Sequence, residues 1–387
     1  MFQDTLYESS PKWYKEAINY PMESKFTTHD NNCNIHYLHW KTNMKLIDLK
    51  KDNLTPPSIV FVHGTSAHAH WFHHIGPLFC KSGYDVIALS LSGHGDSGTK
   101  EILGRDVWEH EIVAVCKDAT LFDENRFSKP ILVGHSLGSF VVEETAHVYP
   151  NLFHGVVVLD GGVPHPLKWR SEAGIVLDSS RSFSSAKERA YSNATIIPRD
   201  RLRLAPPQQV LPFIHEHIAN NSIKPSATKK DCWTWKFDPD AYSKYEFVDY
   251  CLNVGTPELV QNLNCRVAIV HGENSLIVLK EAQDFMRYFL GTNIPVIAIP
   301  DAGHHCFLDQ PLAVVAALRM CFAEWNRSQT INGKGTDFFP RNNKKSVLSN
   351  FDGDLSKLKQ DAIDTQMKIF GQSGPSSSKK EGSNSKL

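Results

Sequence analysis

The chain has 387 residues, 41% of them hydrophobic, and a formal net charge of −1. That length builds one large α/β core with room for an insertion. The balanced charge leaves no footprint for nucleic acid or for an anionic membrane surface, and no window approaches the roughly 18 uninterrupted apolar residues of a membrane span. The start Met1-Phe2-Gln3-Asp4 lacks the basic residues and apolar run of a signal peptide. Eight scattered cysteines with no CxxC pair read as ordinary thiols of a reducing compartment.

In chain order, residues 1–30 read as a loosely attached leader. Asn34 to Trp40 alternates and predicts an early antiparallel strand. Ser58 to Val62 is a continuous apolar run, as expected of a central parallel strand covered on both faces. His63-Gly64-Thr65-Ser66 follows, then a helix-like stretch from Ala69 to Lys81. Tyr84 to Leu89 predicts the next strand, running into Ser92-Gly93-His94-Gly95-Asp96-Ser97, with His94 as a polar turn residue. A helix is expected from Arg105 to about Phe122. The strand Pro130 to Val133 leads through Gly134-His135-Ser136-Leu137-Gly138 into a helix from Ser139 to Tyr149, and Gly155 to Asp160 is another buried strand.

Regular alternation lapses over residues 164–262. Prolines, polar turns and the patch Trp233-Thr234-Trp235-Lys236-Phe237 there predict a mainly helical lid, with the aromatics as its packing core. Strands resume at Cys265 to Val270 and Ile294 to Ile299, and a helix from Leu312 to about Trp325 closes the core. The core is therefore expected in two parts, 31–163 and 263–327. Residues 328–387 read as a polar tail with weak helical periodicity from Leu355 to Ile369. Strands alternating with helices predict an α/β fold: a doubly wound, mostly parallel sheet with helices on both faces and a lid insertion. Active groups should then collect at the carboxyl ends of the strands.

The stretch Gly134-His135-Ser136-Leu137-Gly138 has the G-x-S-x-G pattern between a strand and a helix, the setting of a nucleophile elbow. The sharp turn strains the serine, and a Cβ at either glycine would collide with a neighbouring element. Ser136 would sit at a helix N-terminus, whose free N–H groups favour a developing oxyanion. A serine hydroxyl needs a histidine to take its proton and a carboxylate to orient that histidine. Asp301-Ala302-Gly303-His304-His305 follows the last strand and offers His304 as the base, with His305 turned to the lid or to solvent.

The acid is less direct. The loop His271-Gly272-Glu273-Asn274-Ser275 carries Ser275 where an aspartate is usual. Two carboxylates remain within reach: Asp160, at the end of the strand after the elbow strand, and Glu273, in the usual loop two positions early; a Ser–His dyad is the third option. The oxyanion donors expected are the backbone N–H groups of Thr65 and Leu137. The run His68, His70, His73, His74 contains an i, i+4 pair at His70 and His74, but the helix offers no third ligand in the motif, so no metal is expected. No cofactor is expected either.

Ser385-Lys386-Leu387 at the carboxyl end is a peroxisomal address, and the Ser-, Gly- and Lys-rich stretch before it would leave it open to an import receptor. A peroxisomal matrix location is expected, or a cytoplasmic one where that signal is not used.

Together, His63-Gly64, Ser92 to Ser97, Gly134 to Gly138 and Gly303-His304 resemble the α/β-hydrolase superfamily over roughly Ile35 to Trp325. Asn151-Leu152-Phe153-His154 before an acid-ended strand, the serine after Gly272 and the peroxisomal terminus resemble, more narrowly, fungal peroxisomal lipase-like hydrolases. The resemblance implies hydrolysis of a carboxylic ester, of an acylglycerol or phospholipid type, and a displaced acid. The expected partner is a small lipid-like ester. An acyl-CoA thioesterase or a C–C bond hydrolase is an alternative, with Arg181, Arg199, Arg201 and Arg203 as candidates for CoA phosphates; a non-catalytic binding protein on the same scaffold is another.

Overall fold

Between residues 58 and 159 four five-residue strands are buried at every position, which is what apolar runs do when helices cover both faces of a sheet. They are β3 (Ser58–Val62), β4 (Asp85–Leu89), β5 (Ile131–His135) and β6 (Gly155–Leu159), preceded by β1 (Glu23–His29) and β2 (Cys33–Trp40). β7 (Ile223–Pro225) and β8 (Trp233–Trp235) form a separate antiparallel pair, and β9 (Arg266–Gly272) and β10 (Val296–Ile299) complete the main sheet. The helices are α1 (Phe2–Ser9), α2 (Lys12–Ile18), α3 (Gly76–Cys80), α4 (Trp108–Asp118), α5 (Leu137–Val148), α6 (Pro212–Asn221), α7 (Pro257–Asn262), α8 (Lys280–Leu290), α9 (Cys306–Asp309) and α10 (Pro311–Asn332), with a 3₁₀ helix at Ala69–Phe72. This computed structural model describes residues 2–29, 33–43, 56–161, 190–192, 201–238, 240, 241, 254, 256–290 and 294–332.

The eight strands run in the order β1-β2-β4-β3-β5-β6-β9-β10. β1 and β2 are antiparallel, β2 meets β4 antiparallel, and every pairing from β4 to β10 is parallel. The chain steps from β3 outward to β4, then returns to the other side of β3 with β5. Such a reversal opens a crevice at the carboxyl ends of the strands, here beside β3 and β5. One apolar cluster, around Trp108, Phe140 and Met286, covers one face of the sheet; another, around Trp40, Phe72, Phe307 and Phe322, covers the other.

Three expectations from the sequence change. Residues 1–30 are not a loose leader: β1 pairs with β2 from Glu23↔His39 to His29↔Cys33, and Tyr14 and Ala17 of α2 are buried. The helix expected from Ala69 to Lys81 is split into the 3₁₀ turn and α3, because Gly76-Pro77 interrupts the hydrogen-bond ladder and a proline is well accommodated only in a helix's first turn. The described parts of 164–262 hold the β7–β8 hairpin as well as α6 and α7. The aromatic patch contributes β8, and Phe237 packs on His94 with centroids 5.3 Å apart. The expected helix at Leu355 to Ile369, along with Arg181, Arg199 and Ser385-Lys386-Leu387, lies outside the described residues. No helix among the described residues is long and apolar enough to cross a membrane.

Candidate active site

Ser136 joins β5 to α5 at φ 53 and ψ −119, a backbone conformation that an L-residue adopts only under constraint. The constraint comes from close packing. A Cβ on Gly134 would lie 2.1 Å from the Gly138 carbonyl oxygen, and one on Gly138 would lie 2.4 Å from that of Val62. The Ser136 N–H donates to the Leu159 carbonyl at 3.1 Å, which ties the turn to β6. Leu137 opens α5, so its N–H has no acceptor within the helix.

The loop after β3 passes directly against the serine: a Cβ on Gly64 would come within 2.8 Å of Ser136 Cβ. His63 anchors this loop. Its Nε2 accepts the Leu91 N–H at 3.0 Å, so the ring proton resides on Nδ1 and is donated to the Gly64 carbonyl at 2.7 Å. Burial holds the His63 pKa well below its usual value, which keeps this tautomer neutral. Thr65 follows as a half-buried turn residue.

Asp160 ends β6 at φ 49 and is fully buried. Its Oδ2 accepts the Gly272 N–H at 2.7 Å, while Oδ1 accepts both the Ser275 hydroxyl and His304 Nδ1, each at 2.7 Å. The two carboxylate oxygens thus meet three donors. Ser275 is oriented for this contact. Its oxygen accepts the N–H groups of Ile277 at 3.1 Å and Val278 at 3.0 Å, leaving its proton for Asp160. Glu273 is elsewhere: its exposed carboxylate accepts the Asp301 N–H at 3.2 Å.

Because the Asp160 carboxylate only accepts, His304 Nδ1 carries the proton and Nε2 keeps its lone pair. The His304 loop is held from several sides. The Gly303 N–H donates to Asp309 Oδ2 at 2.8 Å, and the His305 N–H donates to Gln208 Oε1 at 2.8 Å. His135, the variable residue of the elbow, packs on His304 with centroids 4.8 Å apart and the rings tilted by 40°, and donates through Nε2 to its carbonyl at 3.1 Å. The elbow and the histidine loop are thus bonded to each other one residue from Ser136. Chemically, the arrangement offers an oriented imidazole lone pair, a half-buried serine at a helix N-terminus, and a desolvated carboxylate behind the imidazole.

Several histidines behave differently from the sequence expectation. His305 takes the lid side of the two directions expected, near the Ala205 backbone, but is buried there with its ring 5.5 Å from Trp71 and 5.2 Å from His135. His94 is no exposed turn residue but is buried against His63, with centroids 4.9 Å apart, and against Phe237. His74 is drawn away from His70 by its Nε2–H···O contact with Phe307 at 2.7 Å. In a 3₁₀ turn positions i and i+3 share a face, so His70 instead pairs with His73. His217 of α6 then meets both, and the three candidate donor atoms lie within 4.8 Å of one another. The candidate third ligand that the histidine run does not itself offer comes from α6. His135 and Gln208 were not singled out from the sequence: one occupies a variable motif position, and the other lies about a hundred residues before the loop it clamps, with no local pattern to mark it.

Residues 59–318, more than half the chain, match the Alpha/beta hydrolase family, and the chain belongs to that family. The sn-1-specific diacylglycerol lipase ABHD11 of Danio rerio is 23% identical over 274 residues, covering 69% of this chain and 78% of that protein. Protein ABHD8 of Bos taurus is 30% identical over 112 residues, but that match spans 28% of this chain and 25% of the relative, so only about a quarter of that relative is represented. Among solved structures, the peroxisomal alpha-beta-hydrolase Lpx1 from Saccharomyces cerevisiae superposes with a TM-score of 0.60 at 13% identity, covering 90% of this chain and 98% of that one. The esterase Rv0045c from Mycobacterium tuberculosis gives a TM-score of 0.57 at 17% identity, covering 83% and 98%. These structural likenesses concern the fold.

Proposed function

We propose that this hydrolase is a lipase- or esterase-like serine enzyme that cleaves a carboxylic ester with an apolar acyl group. The observation that carries the reading is the 2.7 Å bond from His304 Nδ1 to the buried Asp160, on a loop bonded to the elbow of Ser136. Ser136 Oγ attacks the ester carbonyl while its proton passes to His304 Nε2. Asp160 stabilises the imidazolium that forms. The carbonyl oxygen becomes an oxyanion facing the N–H groups of Thr65 and Leu137. His304 then delivers the proton to the leaving alcohol, the C–O bond breaks, and an acyl-enzyme remains. Water, deprotonated by His304, attacks that ester and releases the acid and Ser136. No cofactor enters any step.

The relatives named as lipases and esterases support an ester substrate. The peroxisomal structural neighbour and the terminal Ser385-Lys386-Leu387 support a peroxisomal location reached through an import receptor. We assign residues 263–327 and 31–163 to the catalytic core and 164–262 to a lid whose packing sets acyl preference. An active-site-directed fluorophosphonate labels Ser136 in this reading, and a folded Ser136→Ala variant stays unlabelled. Equal labelling of both proteins overturns it. Turnover of p-nitrophenyl esters, monoacylglycerols and acyl-CoA by the purified chain then separates ester from thioester substrates; no turnover of any, despite labelling, leaves a binding protein on a hydrolase scaffold.

A further inference from the structure

The histidines of the 3₁₀ helix and α6 serve no step of the reaction above. His70 and His73 project from one face of the 3₁₀ turn, and His217 reaches them from α6, far later in the chain. Ring centroids are 4.9 Å apart for His73 and His217, 6.0 Å for His70 and His73, and 6.4 Å for His70 and His217. His73 is only 7% exposed and its ring approaches the Ile18 backbone carbonyl, while Nδ1 of His70 has no hydrogen-bond partner. Leaving such a buried group unpaired is unfavourable. Asn221 Nδ2 lies 3.5 Å from His217 Nε2, too long to engage that lone pair firmly.

Three imidazoles turned on one another repel as cations, and as neutral rings leave lone pairs facing one another at separations of up to 4.8 Å. An ion that accepts their lone pairs resolves the conflict. We propose that His70, His73 and His217 bind one divalent transition-metal ion of the class that prefers imidazole, Zn²⁺ being the first candidate, and that the ion staples α6 to the core. Zn–N bonds of about 2.0–2.1 Å in a tetrahedron put the nitrogens roughly 3.3 Å apart. Drawing in atoms that now lie within 4.8 Å of one another takes a movement of under about 1 Å each, a small side-chain rotation.

Three protein ligands leave a fourth position for water. A cavity of about 140 Å³ borders His217 beside Tyr7, Tyr14 and Glu216 and gives the ion a route in. The staple also reaches toward the reaction centre, since Trp71, between His70 and His73, packs on His305 next to His304. A second histidine group, His135, His304 and His305, has its donor atoms equally close. There His304 Nδ1 is taken by Asp160 and His135 Nε2 by a carbonyl, so that group is the weaker competitor.

The test is equilibrium dialysis of the tag-free full chain against Zn²⁺, with bound metal counted by elemental analysis, and visible absorption after loading with Co²⁺. One ion per chain is expected. His217→Ala and His73→Gln should weaken binding by roughly 100-fold or more, since even an outer-shell contact is worth 10–100-fold. His217→Cys, which supplies a ligand, should restore it and add a thiolate-to-Co²⁺ charge-transfer band in the near ultraviolet, so loss of folding cannot be mistaken for loss of a ligand. Binding that survives His217→Ala but disappears in His304→Ala overturns the assignment in favour of the other group. No stoichiometric binding, or binding unaffected by every one of these substitutions, overturns it outright.

Discussion

Histidines crowd two neighbouring regions of this molecule, and the two treat them in opposite ways. At the carboxyl ends of β3, β5 and β10, His63, His135 and His304 each have at least one ring nitrogen held by a hydrogen bond of 3.1 Å or less. In the seam between the 3₁₀ helix and α6, Nδ1 of His70 has none. In the first region the bonds decide which nitrogen carries the proton, so a lone pair can be aimed at a reacting atom. In the second the lone pairs are uncommitted and desolvated, which suits a metal ion better than a proton relay. Residue type alone does not distinguish the two uses; the partners of each ring do.

The comparison breaks most visibly at the nucleophile. Ser136→Ala should lower ester turnover by up to about 10⁶-fold and leave the melting temperature and the metal content unchanged, measured by stopped assay, calorimetry and elemental analysis on one preparation. Next comes the orienting carboxylate. Asp160→Asn should cost about 10⁴-fold in kcat. Ser275 touches the same carboxylate from the loop that commonly carries the acid. Adding Ser275→Asp to Asp160→Asn should therefore recover tenfold or more, and a double variant no faster than the single one would show that the two positions are not alternative seats for the charge.

Stability against pH probes the buried rings away from the seam. The pKa of His94 and of His154 is pushed down to about 4 by burial, and those of His63 and His135 lie well below 6.5. Each ring stays neutral when folded but takes a proton when unfolded once the pH drops under about 6.5, so the unfolded state binds more protons and stability falls. The loss should start near pH 6.5, deepen by up to about 1.4 kcal/mol per pH unit for each such ring, and level off only below the folded pKa. Urea midpoints from pH 7.5 to 4.5 measure it; a flat profile down to pH 5 contradicts the buried, neutral assignment.

Smaller effects sharpen the acid assignment. Ser275→Ala removes a donor to Asp160 and leaves the Ile277 and Val278 N–H groups without their acceptor, which should cost about 1–3 kcal/mol in urea unfolding. Glu273→Gln should change kcat by no more than about twofold, as is usual for an exposed side chain away from special features. A large loss there would return Glu273 to the catalytic role.

Much of this was legible in one dimension. The apolar runs of β3 to β6 are parallel strands because a sheet covered on both faces demands them, and the elbow at Gly134 to Gly138 is marked by glycines that close packing requires. These are local consequences of side-chain size and hydrophobicity. Which carboxylate meets His304 was open in the sequence; β6 and β9 lying side by side brings Asp160 to it across 144 residues. The same is true of Ser275 as a donor, of Gln208 as a clamp, and of His217 completing a group that the sequence seemed to leave short. The face shared by His70 and His73 turned on a 3₁₀ geometry that Gly76-Pro77 helps to impose. Contacts between distant segments depend on strand order and helix docking, and no short window of sequence carries that information.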